Sequence, residues 1–433
     1  MSNFIANPVN TLSGVLKVPG DKSISHRSIM LGSLAKGTTH ISGFLEGEDA
    51  LSTLKAFQDM GVEIQRDNDK VVIHGVGLHG LKKPKKALNL GNSGTSIRLM
   101  SGILSAQIFD VEMIGDQSLS KRPMGRVIDP LQSMGAVINS NDGKPPLKVK
   151  GGQTLHAINY ELPVASAQVK SCVLLAGLYA KGKTCVSEPA PTRDHTERML
   201  KGLGYKVEVV DNQICVEGGG DLTATDIQVP SDISSAAFFM VAAAIAPSAD
   251  ITLAGVNINP TRTGVIDILK LMGAKISLQN EREIGGELLA DIRVQSSKLK
   301  GIHIPEALVP LAIDEFPVIF IAASCAQGET ILTGARELRV KESDRIQAMA
   351  DGLTILGIDN TVLEDGIKIQ GGNFQKPLSA IESHHDHRIS MSFAVASLRC
   401  DYPIEIYGVD NVKTSFPNFV ELANTAGMHI QEV

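Results

Sequence analysis

At 433 residues the chain is long enough for two domains, because single hydrophobic cores stop growing at roughly 250–300 residues. Apolar residues make up 43% and charged residues 20%, a globular balance, and the net charge of −6 argues against bulk electrostatic binding to nucleic acid or an anionic membrane. The five cysteines (Cys172, Cys185, Cys215, Cys325 and Cys400) are odd in number and widely spaced, and they read as neither a disulfide framework nor a zinc site.

The chain begins MSNFIANPVN, with no basic segment and no apolar run of the kind a signal peptide carries. A short strand there precedes VPGD, a plausible crossing between domains. The first helix opens near Gly20 in GDKSISHRS, the strand TTHISG follows, and a second helix ends in FQDMG at Gly61. The strand pair VEIQ and VVIHG completes the unit. The same order, strand, helix, strand, helix, strand, strand, then recurs along the chain.

Its later first helices open near Gly91 (GNSGTSIRL), Ala165 (ASAQVKS), Pro230 (PSDISSAAF), Ile313 (IDEFPVIF) and His384 (HHDHRISM). Its later second helices end at Gly135, Gly204, Gly273, Gly357 and, more weakly, Gly427, in steps of roughly 70 residues. A glycine just past a helix takes the left-handed cap that a side chain resists. Three units end near residue 229 and three follow. The N-terminal stretch is expected to join the C-terminal half, giving one discontinuous domain of residues 1–18 and 230–433 and an inserted domain of residues 19–229. The longest apolar run, Ala236 to Ala246, stops at Pro247 and is too short to span a bilayer. A cytoplasmic protein is the expectation.

Helix starts attract anions, because free N–H groups and the helix dipole both favour negative charge. The charged residues near the six starts are therefore the informative ones. The first start carries Lys22, Ser23 and Arg27; a capped surface helix would show the same pattern. The second places Gly94, which permits close backbone approach, in GNSGTSIR, where a tight turn is the plainer reading. RPMGR sets Arg122 and Arg126 about Pro123, as an anion clamp or an exposed turn. The third start gathers Ser166, Gln168, Lys170 and Ser171, suited to a polyhydroxylated ligand or to ordinary capping. Arg193 opens the companion helix.

In the second half, Asp314 and Glu315 either cap a very apolar helix or supply a partly buried general base. RVKESDRIQ, read as a helix, puts Lys341 four residues and Glu342 three residues from Arg345, the usual pattern of a solvated face. HHDHRIS holds Asp386, His387 and Arg388, with a spacing that matches no standard zinc motif.

Together PGDKSISHR, GNSGTSIRL, RPMGRV, SAQVKS, TRDHTE, RVKESDR, DHRISMSF and TSFP resemble, in order and over essentially the whole chain, the 5-enolpyruvylshikimate-3-phosphate (EPSP) synthase family, most of all its class II bacterial branch. The resemblance implies an α/β fold of two domains, each of three βαβαββ units arranged like an inside-out α/β barrel. It implies transfer of the enolpyruvyl group of phosphoenolpyruvate to the 5-hydroxyl of shikimate 3-phosphate, with no metal and no organic cofactor, by a monomer that closes on its substrates. By motif, Lys22, Ser23, Arg27, Ser166, Ala167, Gln168, Arg193, Asp314 and Lys341 would hold shikimate 3-phosphate. Lys22, Gly94, Arg122, Gln168, Arg345 and Arg388 would hold phosphoenolpyruvate. Asp314 would accept the hydroxyl proton and Glu342 donate one to carbon, with Lys22 sharing the proton work and His387 in reserve.

Two details mark this member. Thr414 stands where some relatives carry lysine, two residues before Phe416, which leaves Lys413 as the nearest candidate. Small Gly94 leaves room for the inhibitor glyphosate. The rival readings are the sister enzyme acting on UDP-N-acetylglucosamine and a non-catalytic anion-binding clamp. The sister family uses a Lys-Asn pair and a loop cysteine, whereas here the pair is Lys22-Ser23 and residues 110–130 contain no cysteine. A pure anion binder gains nothing from Asp314 and Glu342.

Overall fold

The structure, a computed structural model, describes residues 2–433. The chain divides into two compact units. One is Gly20–Val229; the other joins the residues through Pro19 to Pro230–Val433.

The inserted unit carries six helices: α1 (Lys22–Leu34), α2 (Glu48–Asp59), α3 (Gly94–Leu104), α4 (Gly125–Ser133), α5 (Ala167–Gly177) and α6 (His195–Gly202). Each successive pair accompanies one four-stranded sheet. In spatial order the second sheet runs Leu88–Asn89, Val111–Ile114, Lys144–Lys150, Val137–Asn141, and the third runs Asn159–Glu161, Lys183–Ser187, Gln213–Glu217, Val207–Val210. The first two strands of each are parallel and the rest antiparallel. The first sheet has the same pattern, but its opening place beside Lys36–Ser42 is filled by Ile227–Gln228 from the far end of the unit.

The other unit carries α7 (Ile233–Ile245), α8 (Gly264–Leu271), α9 (Phe316–Ser324), α10 (Arg345–Ile355), α11 (His387–Ala396) and α12 (Phe419–Thr425). Here the chain's beginning supplies two strands, where the sequence predicts one. Thr11–Leu16 lies parallel to Ser248–Asn257 as the opening strand of the α7 repeat. Asn3–Asn7 lies antiparallel between Ile404–Tyr407 and His429–Glu432, the fourth strand of the last repeat. The middle repeat has three strands, Glu329–Leu332, Ile367–Gln370 and Asn360–Val362. Among the described residues the strands thus form six separate sheets, and none closes into a barrel.

Sequence explains the layering. α7 reads ISSAAFFMVAAAI and is buried on every face, as a helix apolar all round must be. α9 is buried throughout as well. α4, by contrast, buries Val127, Ile128, Pro130 and Leu131 and leaves its other face to solvent. Each unit has its own apolar core, one centred on α7, α9 and α11 and one on α1, α3 and α5. At roughly 1.5–3 kcal/mol for each buried large apolar side chain, burial is the main favourable term holding the first helix of each pair inside. The six glycines predicted to end the second helices, Gly61, Gly135, Gly204, Gly273, Gly357 and Gly427, all have φ between +74° and +105°. Among the described residues no helix is long and apolar enough to cross a membrane.

One reading is corrected. Cys185 and Cys215 are joined as a disulfide, where the sequence pattern argued against bridging. They are register partners in the antiparallel strands Lys183–Ser187 and Gln213–Glu217. Register, which spacing along the chain does not disclose, sets them face to face.

Candidate functional site

In the inserted unit, Asp21 caps α1 by accepting from the Ile24 amide at 2.9 Å. That cap fixes the turn carrying Lys22 and Ser23. Lys22 reaches Asp49 on α2, and its side chain remains a quarter exposed. Arg27, one turn further along α1, is buried. Its Nε donates to Thr196 Oγ1 (2.7 Å), its Nη2 to Ser171 Oγ (2.8 Å) and its Nη1 to the Ser23 carbonyl (3.0 Å). Arg27 thus ties α1 to α5 and α6.

Ser93 caps α3 through the Ser96 amide. Behind these starts runs a buried chain of hydrogen bonds. His26 Nδ1 meets Thr53 Oγ1 at 2.7 Å, Thr53 Oγ1 meets Ser96 Oγ at 2.6 Å, and Ser96 Oγ donates to Ser93 Oγ at 2.7 Å. Burial, reinforced by Lys22 and Arg27, holds the His26 imidazole well below its ordinary pKa. A Cβ built on Gly94 would stand 3.0 Å from Nη1 of both Arg122 and Arg98. Glycine here lets two guanidiniums approach the helix start. Arg122 donates to Asn92 Oδ1 and, at 3.3 Å, to Ser118 Oγ. Arg126, its expected partner, is exposed in the first turn of α4.

Ser166 caps α5 at the Val169 amide. Gln168 accepts from Arg98 Nη1 at 2.6 Å and donates to Thr95 Oγ1 at 3.1 Å, so it bridges α3 and α5. Ala167 is the first residue of α5, and Arg193 stands half-buried just before α6. Lys170 turns away into the interior, 3.0 Å from Glu188 and 2.7 Å from Glu197, where it anchors α5 to α6.

In the other unit, Glu315 occupies the N-cap position of α9, but there is no side-chain capping hydrogen bond. Asp314 Oδ1 instead lies 3.4 Å from Lys341 Nζ and 3.5 Å from Arg345 Nη1. The RVKESDRIQ segment is not one helix. Arg336–Val340 forms a 3₁₀ turn, Lys341 and Glu342 occupy a bend, and α10 begins at Arg345 behind its cap Asp344. Nor is it a solvated face, because the Arg345 side chain is 1% exposed. Its Nη2 donates to Glu342 Oε2 at 2.6 Å and its Nε to Asp386 Oδ2 at 2.8 Å. Burial and Glu342 would raise the Asp386 pKa, but Arg345 and His387 together hold it below the ordinary value. Those carboxylates in turn push Arg345 upward against its own desolvation.

Asp386 also caps α11, accepting from the Arg388 amide at 2.9 Å. Arg388 Nη1 donates to the Asp314 carbonyl at 2.7 Å. His387 lies beside Asp386 with Nδ1 at 3.9 Å. Lys413 is paired with Glu432 at 2.7 Å, more than half exposed, and so is directed to the surface strand His429–Glu432. The structure thus brings Asp314, Lys341, Glu342, Arg345 and Arg388 together in this unit. In the inserted unit Lys22, Ser23 and Arg27 share the start of α1, while Gly94, Arg122 and Gln168 gather about Arg98.

Sequence reasoning passed over Asp49, Arg98, Thr196 and Arg262. Arg98 was legible: it is four residues beyond Gly94 on the same helical face. Arg262 comes from the TRTG loop, and it brings a cation to the α7 start, where the sequence shows none. Its Nη2 lies 3.3 Å from Asp232, the α7 cap.

A family model for EPSP synthase (3-phosphoshikimate 1-carboxyvinyltransferase) matches residues 6–422. A 3-phosphoshikimate 1-carboxyvinyltransferase of Ruthia magnifica subsp. Calyptogena magnifica is 77% identical over 433 residues, covering 100% of both chains. The solved EPSP synthase of Acinetobacter baumannii superposes with a TM-score of 0.89 at 61% identity, covering 100% of both chains. The enolpyruvyl transferase NikO of Streptomyces tendae superposes at 0.81 over 100% of this chain and 99% of its own, with 15% identity, a likeness of fold alone.

Proposed function

The chain belongs to the EPSP synthase family, and from that premise we propose that it transfers the enolpyruvyl group of phosphoenolpyruvate to the 5-hydroxyl of shikimate 3-phosphate, releasing phosphate in the shikimate pathway to aromatic amino acids. The observation that carries this reading is the meeting of Asp314 and Glu342 at one buried guanidinium, Arg345, at 3.5 and 2.6 Å. A site built to bind anions alone has no use for carboxylates among its cations, whereas proton transfer requires them.

The chemistry needs three things. Two anionic substrates must be held together against their repulsion, so cations must surround them. The 5-hydroxyl oxygen must bond carbon 2 of phosphoenolpyruvate while losing its proton and while carbon 3 gains one. The tetrahedral adduct must then lose phosphate and a methyl proton, restoring the vinyl group. Lys22, Ser23, Arg27, Ser166, Ala167, Gln168, Arg193, Asp314 and Lys341 hold shikimate 3-phosphate in this reading. Lys22, Gly94, Arg122, Gln168, Arg345 and Arg388 hold phosphoenolpyruvate. Asp314 takes the hydroxyl proton and Glu342 serves carbon 3, with Lys22 sharing the proton traffic.

At finer grain, RPMGR, SAQVKS and TRDHTE support a class II enzyme. We take it to work as a cytoplasmic monomer, and its glycine at position 94 supports sensitivity to glyphosate. An inhibition constant in the millimolar range would contradict that last point. The test of the activity itself is phosphate release from phosphoenolpyruvate, measured with and without shikimate 3-phosphate. Release that depends on shikimate 3-phosphate is expected. Release without it, or none at all, would overturn the reading.

A further inference from the structure

The proposed reaction uses neither Glu315 nor Arg262, yet both are buried. Glu315 Oε1 accepts from Ser234 Oγ at the start of α7. The same oxygen lies 3.8 Å from Arg262 Nη2 and 3.8 Å from Arg388 Nη1. Arg262 also donates to Ser234 Oγ at 2.7 Å. Asp314 and Glu315 therefore face different cations. The Asp314 carboxylate meets Lys341 and Arg345, and that of Glu315 meets Arg262 and Arg388.

Ionised groups without water cost several kcal/mol each unless well paired, and an apolar cluster would pack this junction more cheaply. Helix capping does not account for the carboxylate, because it makes no capping hydrogen bond to α9. What it does account for is the direction of Arg388, whose Nη1 is held by the Asp314 carbonyl at 2.7 Å and by the Glu315 charge.

We propose that Glu315, shared with Arg262, is a positioning residue that fixes the Arg388 guanidinium for phosphoenolpyruvate. This rests on the assignment of Arg388 to that substrate. It differs in sign from the simple electrostatic expectation. A buried carboxylate near an anion site repels the anion, so its removal would tighten binding if charge were its whole effect. If it positions Arg388, its removal loosens binding, because small displacements of an aligned group are costly.

The experiment is Glu315→Gln, which keeps the shape and an acceptor for Ser234. Phosphoenolpyruvate binding is read by calorimetry without shikimate 3-phosphate, so that no turnover occurs, and both KM values are read from steady-state rates. The expected result is a KM and Kd for phosphoenolpyruvate about 10-fold higher, with the KM for shikimate 3-phosphate essentially unchanged. Unchanged or tighter phosphoenolpyruvate binding, or an equal rise in both KM values, would overturn the inference. Arg262→Lys serves if the first variant does not fold, with a smaller change in the same direction expected and the same overturning results. A wild-type protein lacking shikimate 3-phosphate-dependent release sinks the reading of function; unchanged calorimetry in the variant sinks only the positioning role.

Discussion

Around the candidate site of the inserted unit, dipoles are among the partners of the guanidiniums: Thr196, Ser171 and the Ser23 carbonyl for Arg27, Asn92 and Ser118 for Arg122, Gln168 for Arg98, whereas Arg66 and Arg198 elsewhere in the unit pair with Glu46 and Asp194. In the other unit the site guanidiniums lean on carboxylates: Arg345 on Glu342, Asp386 and Asp314, Arg388 and Arg262 on Glu315. Dipoles orient a guanidinium without cancelling its charge, which suits the binding of dianions. Carboxylates orient it more strongly, and they bring proton acceptors to the site. In the proposed reading, most of the anion binding falls to the first set and the acid–base work to the second. Lys22, paired with Asp49, and Lys170, paired with Glu188 and Glu197, depart from this pattern in the inserted unit.

The contrast breaks most visibly at Arg345. Arg345→Met leaves the carboxylates of Asp386, Glu342 and Asp314 without their shared cation, and losing one partner of a buried ionic cluster costs about 3–5 kcal/mol. Urea denaturation should show that loss; a shift below about 1 kcal/mol would mean the cluster is not buried in solution as it is here. Arg27→Lys removes the fork that spans Thr196 and Ser171 while keeping the charge. The KM for shikimate 3-phosphate should rise by about 10- to 100-fold with a smaller change in kcat. An unchanged KM would show that Arg27 is only a strut between helices.

Gly94→Ala sharpens the same comparison, because its methyl would crowd Arg122 and Arg98. The KM for phosphoenolpyruvate should rise by about 10-fold and glyphosate inhibition should weaken at least as much; equal KM values would mean both guanidiniums give way freely. The smallest effect concerns His26. Its folded-state pKa is lowered, so the unfolded chain binds a proton that the folded chain refuses. The stability this gives is complete above about pH 6.5 and is lost as pH falls through the lowered folded value. His26→Asn should flatten that acid-side decline in a stability–pH profile, and an unaltered slope would assign the decline to other groups.

Much of this was legible in the residues. The glycine series marked six helix ends because only a left-handed cap demands glycine there, and all six have positive φ. The polar helix starts were legible because capping has a short-range signature: Asp21, Ser93, Ser166, Asp232 and Asp386 each accept from the first turn of their helix. What escaped was set by tertiary geometry. Helical spacing suggested that Lys341 and Glu342 reach Arg345 from one helix face. Glu342 reaches it from a bend and Lys341 meets Asp314 instead, because Asp344 caps a helix that starts only at Arg345. Arg262 and Asp49 lie far along the chain from the groups they meet, and strand register alone brings Cys185 to Cys215. None of these has a local pattern to read.

The most direct test of the division between binding and chemistry is Glu342→Gln under saturating substrates. The charge is lost but the shape and a hydrogen-bonding oxygen for Arg345 remain. Calorimetric affinities for both substrates should stay near those of the wild type, while phosphate release falls by about 100- to 10,000-fold. Turnover at the wild-type rate would contradict the account.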